Sequence, residues 1–509
     1  MPRFATQKIE VFLRDMSAQL KVYNTLSGEI ENFEPIKAPF VGLYLCGPTV
    51  YGYPHLGHAR GPVVFDVIHR YLLHLGYKVR FVRNITDVGH LVNDADEGED
   101  KIAKRAKIEQ LEPMEIAQHY TDAYHHCIDL LNVKRPSIEP RASGHIIEQI
   151  EMIEKIIKNG FAYEVNGSVY FDVLKYAETN DYGKLSGRIL EDLFAGAGEA
   201  RRGLEGQEQK RNANDFALWK NASAEHIMQW PSPWGQGFPG WHIECSAMSS
   251  KYLGKIFDIH GGGMDLLFPH HESEIAQSTA CNHANPAKYW MHHNMITINS
   301  QKMAKSLNNG VLITELFDGS HDLLEQAYSP MTLKFFILQA HYRGTLDFSN
   351  EALKAAEKGL SRLMNAVELL QKLNPGSHSD FDVNNLQQKI YDALNEDFNT
   401  PISFAYLFEA ATWINKINDG TASLNAEDLE KLKDLVNTIL FDVFGMLNER
   451  VAVGKSQIDD LMQIVLYMRN EAKAAKDYQK ADTIRKQLLE AGFEIKDGKE
   501  GTTYTINTN

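Results

Sequence analysis

The chain has 509 residues, of which 43% are apolar and 23% charged, which fits a globular protein of about two to four domains. Its formal net charge of -15 excludes a generally basic nucleic-acid binder, although a local basic groove is compatible with it. Four widely separated cysteines, Cys46, Cys127, Cys245 and Cys281, do not form the pattern of a disulfide-stapled secreted domain, so reduced thiols and a cytoplasmic setting are expected. No uncharged apolar run reaches membrane-spanning length, and the first 20 residues carry Arg3, Lys8, Glu10, Arg14 and Asp15, so neither a membrane span nor a secretory signal is expected.

Residues 1–40 read as a peripheral lead-in, with 23–26 and 33–35 packing outside a sheet. Residues 41–45 form an apolar run, the signature of a buried strand. It feeds the loop Cys46-Gly47-Pro48-Thr49-Val50-Tyr51-Gly52-Tyr53-Pro54-His55-Leu56-Gly57-His58. Helical spacing of Val63, Val64, Val67, Ile68, Tyr71, Leu72 and Leu75 follows, and Gly76 is a stop signal. Residues 79–85 read as the next strand, which completes a beta-alpha-beta unit. Such a unit predicts a doubly wound parallel sheet with ligands beyond the carboxyl ends of the strands. Cys46 and Asn84-Ile85-Thr86-Asp87 fall at such ends, and the helix start behind His58 attracts anions.

The acidic segment 94–100 lacks the ligand spacing of a calcium loop and reads as solvated. Helices are expected at 113–131 and 143–158. The second carries Ile146, Ile147, Ile150, Ile153, Ile156 and Ile157 on one face and ends at Gly160. Asn166-Gly167 between two strand-like runs is a hairpin signal within an insertion that interrupts the sheet, and the Gly- and charge-rich stretch 195–211 reads as a mobile surface loop. The sheet resumes at 256–260 and runs into Gly261-Gly262-Gly263-Met264-Asp265, where glycines permit either a nucleotide contact or a tight turn with unusual phi angles. A short strand at 295–299 leads to Gln301-Lys302-Met303-Ala304-Lys305-Ser306. From Leu312 onward the periodicity is almost wholly helical, divided by turn signals at 374–377, 418–420 and 450–455.

His270 and Glu274 are four apart in a helical-looking segment, which puts them on one face and suits two ligands of one ion. Cys46 and Cys245 could complete a Cys2HisGlu set of the kind that holds zinc. Spacing alone leaves alternatives open. His271 is a rival ligand whose i+4 neighbour, Ile275, offers nothing, and Cys281 continues the His270 and Glu274 face nearly two turns further on.

Taken together in order, these segments resemble the cysteinyl-tRNA synthetases, members of the class I aminoacyl-tRNA synthetases, over nearly the whole chain. The resemblance rests on Cys46-Gly47-Pro48-Thr49-Val50-Tyr51, on His55-Leu56-Gly57-His58 as the HIGH signature, and on Arg83-Asn84-Ile85-Thr86-Asp87. It continues in Gly240-Trp241-His242-Ile243-Glu244-Cys245-Ser246, Asp258-Ile259-His260-Gly261-Gly262-Gly263-Met264-Asp265, Phe268-Pro269-His270-His271-Glu272 and Glu274-Ile275-Ala276-Gln277. Lys302-Met303-Ala304-Lys305-Ser306 matches the KMSKS signature. Asp397-Phe398-Asn399-Thr400-Pro401 and the region 469–497 look like the family's anticodon-binding part. Departures are Ala304 for the usual Ser, Ser273 for the usual Asn, and a longer acidic loop at 89–101.

The resemblance implies a Rossmann-like catalytic domain at 20–140 and 230–320, interrupted by an inserted connective subdomain at 141–229. A junction and helical anticodon-binding bundle at 321–450 and a small C-terminal anticodon-binding domain at 451–509 follow. It implies one zinc ion on Cys46, Cys245, His270 and Glu274, which selects cysteine as a thiolate over serine without an editing domain. It further implies ATP held by His55, His58, Gly262, Asp265, Lys302 and Lys305, with Mg2+ on the phosphates, and cysteine held by Gly47, Thr86 and Trp241. His55, His58, Lys302 and Lys305 are the expected catalytic groups. Partners are ATP, L-cysteine and tRNA-Cys, read at its acceptor end and anticodon by a cytoplasmic monomer with no membrane contact. A related ligase that passes cysteine to an amino sugar would share the active-site motifs but needs no long helical part after residue 346. A non-catalytic RNA-binding relative would have no chemical need of these ligands, histidines and lysines.

Overall fold

The computed structural model describes residues 20–88, 101–109, 111–189, 209–223, 226–303, 310–491, 493–498 and 501–506. The chain forms two compact units, residues 1–446 and 447–509. Among the described residues no helix is long and apolar enough to cross a membrane.

The first unit is built on a four-stranded parallel sheet. β1 (Lys21–Asn24) and β2 (Glu29–Asn32) form an antiparallel hairpin ahead of it, and β3 (Phe40–Leu45) enters the sheet. From β3 the chain passes into α1 (Gly57–His74) and returns as β4 (Lys78–Arg83), the expected beta-alpha-beta unit. Val63, Phe65, Val67, Ile68, Tyr71 and Leu72 of α1 are buried, as its spacing demands. After α2 (Lys101–Glu109), α3 (Pro113–Leu130) and α4 (Ile146–Lys158), the chain makes an antiparallel sheet of β5 (Ala162–Val165), β6 (Ser168–Phe171), β7 (Phe216–Asn221), β8 (Trp230–Ser232) and β9 (Gly235–Pro239), in the order β5-β6-β7-β9-β8. Asn166 and Gly167 turn β5 into β6 with phi angles of +50° and +80°, which the Asn-Gly pair accepts at low cost.

Next come α5 (Trp241–Leu253), β10 (Phe257–Gly263), α6 (Glu272–Asn282) and β11 (Ala287–His293). The order β11-β10-β3-β4 brings β10 and β3 together at Ile259 and Leu43, with the whole insertion between them in sequence. All seven residues of β10 are buried, so it is a central strand covered on both faces. Cys46 extends the ladder by donating its backbone N–H to Gly261 at 3.1 Å.

Three sequence expectations need correction. Gly261, Gly262 and Gly263 are the last residues of β10, none with positive phi; a Cβ on Gly262 would lie 2.5 Å from the His271 ring, so close packing is what requires the glycine there. Ile147 is 71% exposed, and the buried face of α4 is instead Ile146, Gln149, Met152, Ile153 and Ile156. The stretch after Leu312, expected to be almost wholly helical, also holds a strand at Leu346–Phe348 and a hairpin in the second unit.

β12 (Ile296–Ile298), β13 (Gln301–Lys302) and β14 (Leu346–Phe348) form a small sheet in which β12 pairs antiparallel with β13 and parallel with β14. Around it lie α7 (Pro330–Leu338), α8 (Asn350–Lys372), α9 (Val383–Asn395), α10 (Thr400–Asn418) and α11 (Ala426–Asn437), whose apolar faces share one core with α1. Asp397 of the Asp-Phe-Asn-Thr-Pro motif is 1% exposed and accepts from the backbone of Tyr23 at 2.8 Å, Tyr342 at 2.6 Å and Arg343 at 2.7 Å, so it acts inside the protein. The second unit contains α12 (Glu449–Ala474), α13 (Tyr478–Glu490) and a hairpin of β15 (Phe493–Gly498) and β16 (Gly501–Ile506), with Met462, Leu466 and Ile495 buried.

Candidate metal centre and active site

The carboxyl ends of the parallel strands deliver Cys46 after β3, Thr86 after β4, the glycines of β10 and His292 of β11 to one place. Two helices close it. α5 carries Trp241, His242, Glu244 and Cys245 in its first turns, and α6 carries Glu274, preceded by His270 and His271. Both helices share a core with α4 through Ile243, Ala276, Ile153 and Ile156, so the insertion braces the elements that hold the site.

Donor atoms of Cys46, Cys245, His270 and Glu274 all lie within 4.8 Å of one another. The Cys46 and Cys245 sulfurs are 3.8 Å apart and form no disulfide. Two thiolates each about 2.3 Å from a tetrahedral zinc ion would be separated by about 3.8 Å, so the pair fits a shared ion. His270 Nε2 lies 3.1 Å from Glu274 Oε1, and its Nδ1 faces His242 Nδ1 at 2.9 Å, a contact that orients the ring. The Trp241 ring lies against His270, tilted by 35°, at 4.4 Å between centroids.

A second group, Cys46, His260, His271 and Glu274, shares two of these residues. Helix spacing set His271 aside, yet its Nε2 lies 3.3 Å from Cys46 Sγ. The reason is that its partners do not lie at i+4: Glu274 is at i+3, 4.0 Å away, and Cys46 comes from the end of β3. His271 Nδ1 meets His292 Nε2 at 2.7 Å, and His260 Nε2 meets Glu274 Oε2 at 2.8 Å beneath a stacked Trp290. Of these imidazoles the sequence points only to His271, as a rival ligand; His260 and His292 are not among the candidate site residues. The available signal was His260, His292 and His242 lying at strand ends and a helix start in the same apolar surroundings.

The electrostatics suit a cation. A shared proton from Cys46 lets the Cys245 thiol fall to about 6, while burial and the neighbouring Cys245 sulfur hold the Cys46 thiol well above its ordinary value. Burial opposes charge on both members of the next pair. His260 and His270 nevertheless bring Glu274 down to about 2, and hydrogen bonds with Cys245 and Glu274 raise His270 to about 10.

Thr86 is buried; its hydroxyl donates to Glu244 Oε2 at 2.9 Å and accepts from Asn84 Nδ2 at 3.1 Å. Gly47 donates its backbone N–H to Asn84 Oδ1 at 2.9 Å, and a Cβ there would lie 1.6 Å from the Asn84 carbonyl oxygen. Asn84 and Glu244 therefore hold two of the expected cysteine-pocket residues from behind.

At the start of α1, His55 Nδ1 accepts from Gly57 N and His58 Nδ1 accepts from His55 N, both at 3.1 Å. With Nδ1 accepting, each ring in its neutral form carries its proton on Nε2, as a donor. Burial, then His55, lowers His58 to about 3. Asp265 is exposed just beyond β10, in the short turn Met264–Leu266. Lys302 pairs through its backbone with Thr297, whereas Lys305 and the acidic segment at 89–100 lie outside the described residues.

Residues 32–358 match the family model of the class I (C) tRNA synthetase catalytic domain, and residues 389–448 match the DALR domain. The chain is 58% identical over 499 residues to a cysteine--tRNA ligase of Bacteroides fragilis and 56% identical over 494 residues to one of Porphyromonas gingivalis, in each case over 97% of this chain and 100% of the relative. A solved methionyl-tRNA synthetase of Mycobacterium tuberculosis bound by methionyl-adenylate shares the fold at a TM-score of 0.57 and 13% identity, over 80% of this chain and 92% of the other. Together with the parallel sheet and its site, these matches show that the chain belongs to the cysteine--tRNA ligase family of class I aminoacyl-tRNA synthetases, enzymes that charge tRNA with cysteine.

Proposed function

We propose that the enzyme attaches L-cysteine to tRNA-Cys through a cysteinyl adenylate and selects cysteine by its thiolate. The convergence of Cys46, Cys245, His270 and Glu274 within 4.8 Å carries this reading. A zinc ion on those four side chains would supply a Lewis-acidic position that favours a thiolate over the far less acidic serine hydroxyl. Trp241, beside His270, and Thr86, locked by Glu244 and Asn84, shape the pocket for the rest of the amino acid, with Gly47 packed against Asn84 at its edge.

Adenylate formation needs the cysteine carboxylate in line with the alpha-phosphate of ATP, and catalysis of such a transfer is mostly positioning and charge stabilisation. His55 and His58 donate from Nε2 at the amino end of α1, where the helix itself favours anions. Gly262 and Asp265 border the nucleotide, Lys302 and Lys305 hold the departing pyrophosphate, and Mg2+ accompanies ATP. The ribose hydroxyl of the terminal adenosine of tRNA then takes the cysteinyl group. The helical bundle at 321–450 and the C-terminal part at 451–509 read the anticodon, and the enzyme works as a cytoplasmic monomer.

Aminoacylation of tRNA-Cys transcripts by the purified protein, with amino-sugar acceptors in parallel, tests the reading. Transfer to tRNA supports it, and transfer to an amino sugar alone refutes it.

A further inference from the structure

Arg60 follows His58 by two residues in the first turn of α1 and is 1% exposed. Among the described residues no carboxylate pairs with it. Its partners are backbone carbonyls from two distant segments: Nη1 donates to Met295 O at 2.5 Å, and Nη2 donates to Gly344 O, with longer contacts to His341 O at 3.3 Å and Tyr342 O at 3.4 Å. A buried guanidinium is costly, and an apolar side chain would fill the same space. What the cation adds is a fork of donors that ties two distant segments of backbone to α1 at once.

One of those pieces leads to Lys302. Met295 immediately precedes β12, and its carbonyl also accepts from Leu346 N at 3.2 Å. Two residues on, Thr297 pairs with Lys302 across a turn in which Asn299 and Ser300 have phi of +48° and +63°. The other segment is braced independently. Asn294 binds Tyr342 O through its backbone and Arg343 O through its amide, and Asp397 holds the Tyr342 hydroxyl and the Arg343 guanidinium. Arg60 thus joins the helix start that bears His58 to the hairpin that bears Lys302, and Asp397 ties the same junction to the helical bundle.

We infer that Arg60 is a positioning residue for adenylate formation, setting the separation of His58 and Lys302 through the carbonyls of Met295 and Gly344. The inference rests on the reading that His58 and Lys302 act on the same ATP.

The test uses the full-length, zinc-loaded protein and cysteine-dependent ATP-pyrophosphate exchange. Arg60→Met is expected to lower kcat about 10- to 100-fold and to raise the KM for ATP. The KM for cysteine and the zinc content should stay within about twofold, since neither depends on this junction. Arg60→Lys, which keeps the charge but not the fork, is expected to recover only part, about a third to a half, of the lost logarithm of rate. In the Arg60→Met background Lys302→Ala should cost less than it does alone, because the lysine is already misplaced. A kcat that falls only in proportion to the folded, zinc-loaded fraction, or full additivity with Lys302→Ala, would overturn the inference. If Arg60→Met does not accumulate as folded protein, Arg60→Lys decides: a reduced kcat at unchanged zinc content and Tm supports the inference, and a normal kcat overturns it. Should His58→Asn and Lys302→Ala themselves leave exchange intact, the reading of the site fails and takes the inference with it. If those two lower exchange and Arg60→Met does not, the inference alone is wrong.

Discussion

Cys46 and Cys245 are 199 residues apart in the chain, yet their sulfur atoms lie 3.8 Å from each other as free thiols. The approach is made by β3 ending against β10 and by α5 packing over β3 and β4. A disulfide would need about 2.05 Å, whereas 3.8 Å fits two ligands of one tetrahedral ion. Cys245→Ser is expected to lower bound zinc and cysteine activation together, measured by metal analysis and pyrophosphate exchange on the same preparation. Full activity without metal would refute the proposed ligand set.

The two candidate ligand groups differ in Cys245 and His270 against His260 and His271. If the first group holds the ion, His270→Ala lowers zinc affinity about 10-fold or more, and His260→Ala has a smaller effect through its contact with Glu274. The reverse order, read by competition with a chromogenic chelator, would assign the ion to the second group.

Thr86 and Glu244 form a buried hydrogen bond at 2.9 Å directly behind the proposed amino-acid pocket. Thr86→Val removes the donor and leaves the carboxylate short of a partner, which should cost about 1–3 kcal/mol of stability. The KM for cysteine should rise more than the KM for ATP, and an equal rise in both would place Thr86 outside the cysteine pocket.

His58 sits far below the ordinary histidine range, at about 3, through burial and then the neighbouring His55. Between about pH 3 and 6.5 the unfolded chain takes up a proton at this position that the folded chain refuses, so its contribution to stability rises with pH across that window. Above it the ring is neutral and its Nε2 remains a donor. The pyrophosphate-exchange rate should therefore show no inflection from His58 between about pH 6 and 8. An inflection near 6.5 that disappears in His58→Asn would contradict this tautomer assignment.

Much of this was legible in the sequence, and what was not has identifiable causes. The strand before Cys46, the helix after His58 and the Asn166-Gly167 hairpin follow from period and turn chemistry, which are local. Pairing of Ile259 with Leu43 is not local, and the motifs alone could not show that β10 lies beside β3. Three glycines suggested special phi angles, but the neighbour that requires Gly262 is the His271 ring, reached only through the tertiary fold. His271 is a rival ligand that i+4 spacing cannot support, because its partners are Glu274 at i+3 and Cys46 on a different strand. Arg60 carries no signal in the sequence, because its partners are backbone carbonyls more than 200 residues away, which no side-chain pattern reports.

Arg83 and His125 pair with Glu139 at 2.6 Å each, just below the strand end that carries Asn84 and Thr86. Burial alone would raise this carboxyl, but His125 and Arg83 bring it down to about 2. A depressed carboxylate contributes stability that is complete above its unfolded value of about 4.5 and fades as pH falls toward about 2. Glu139→Gln should lose about 1–3 kcal/mol at neutral pH, and the gap in Tm between variant and parent should shrink at pH 3. A gap that is constant from pH 7 to 3 would contradict the role assigned to the ion pair.

The central claim is that a metal-bound thiolate, supplied only by cysteine, selects the substrate. It is tested most directly by amino-acid-dependent ATP-pyrophosphate exchange on the zinc-loaded protein, with cysteine and serine compared by kcat/KM. The account predicts that cysteine exceeds serine by about four orders of magnitude or more, as expected where a site is built around a group the competitor lacks. Comparable values for the two amino acids would contradict it.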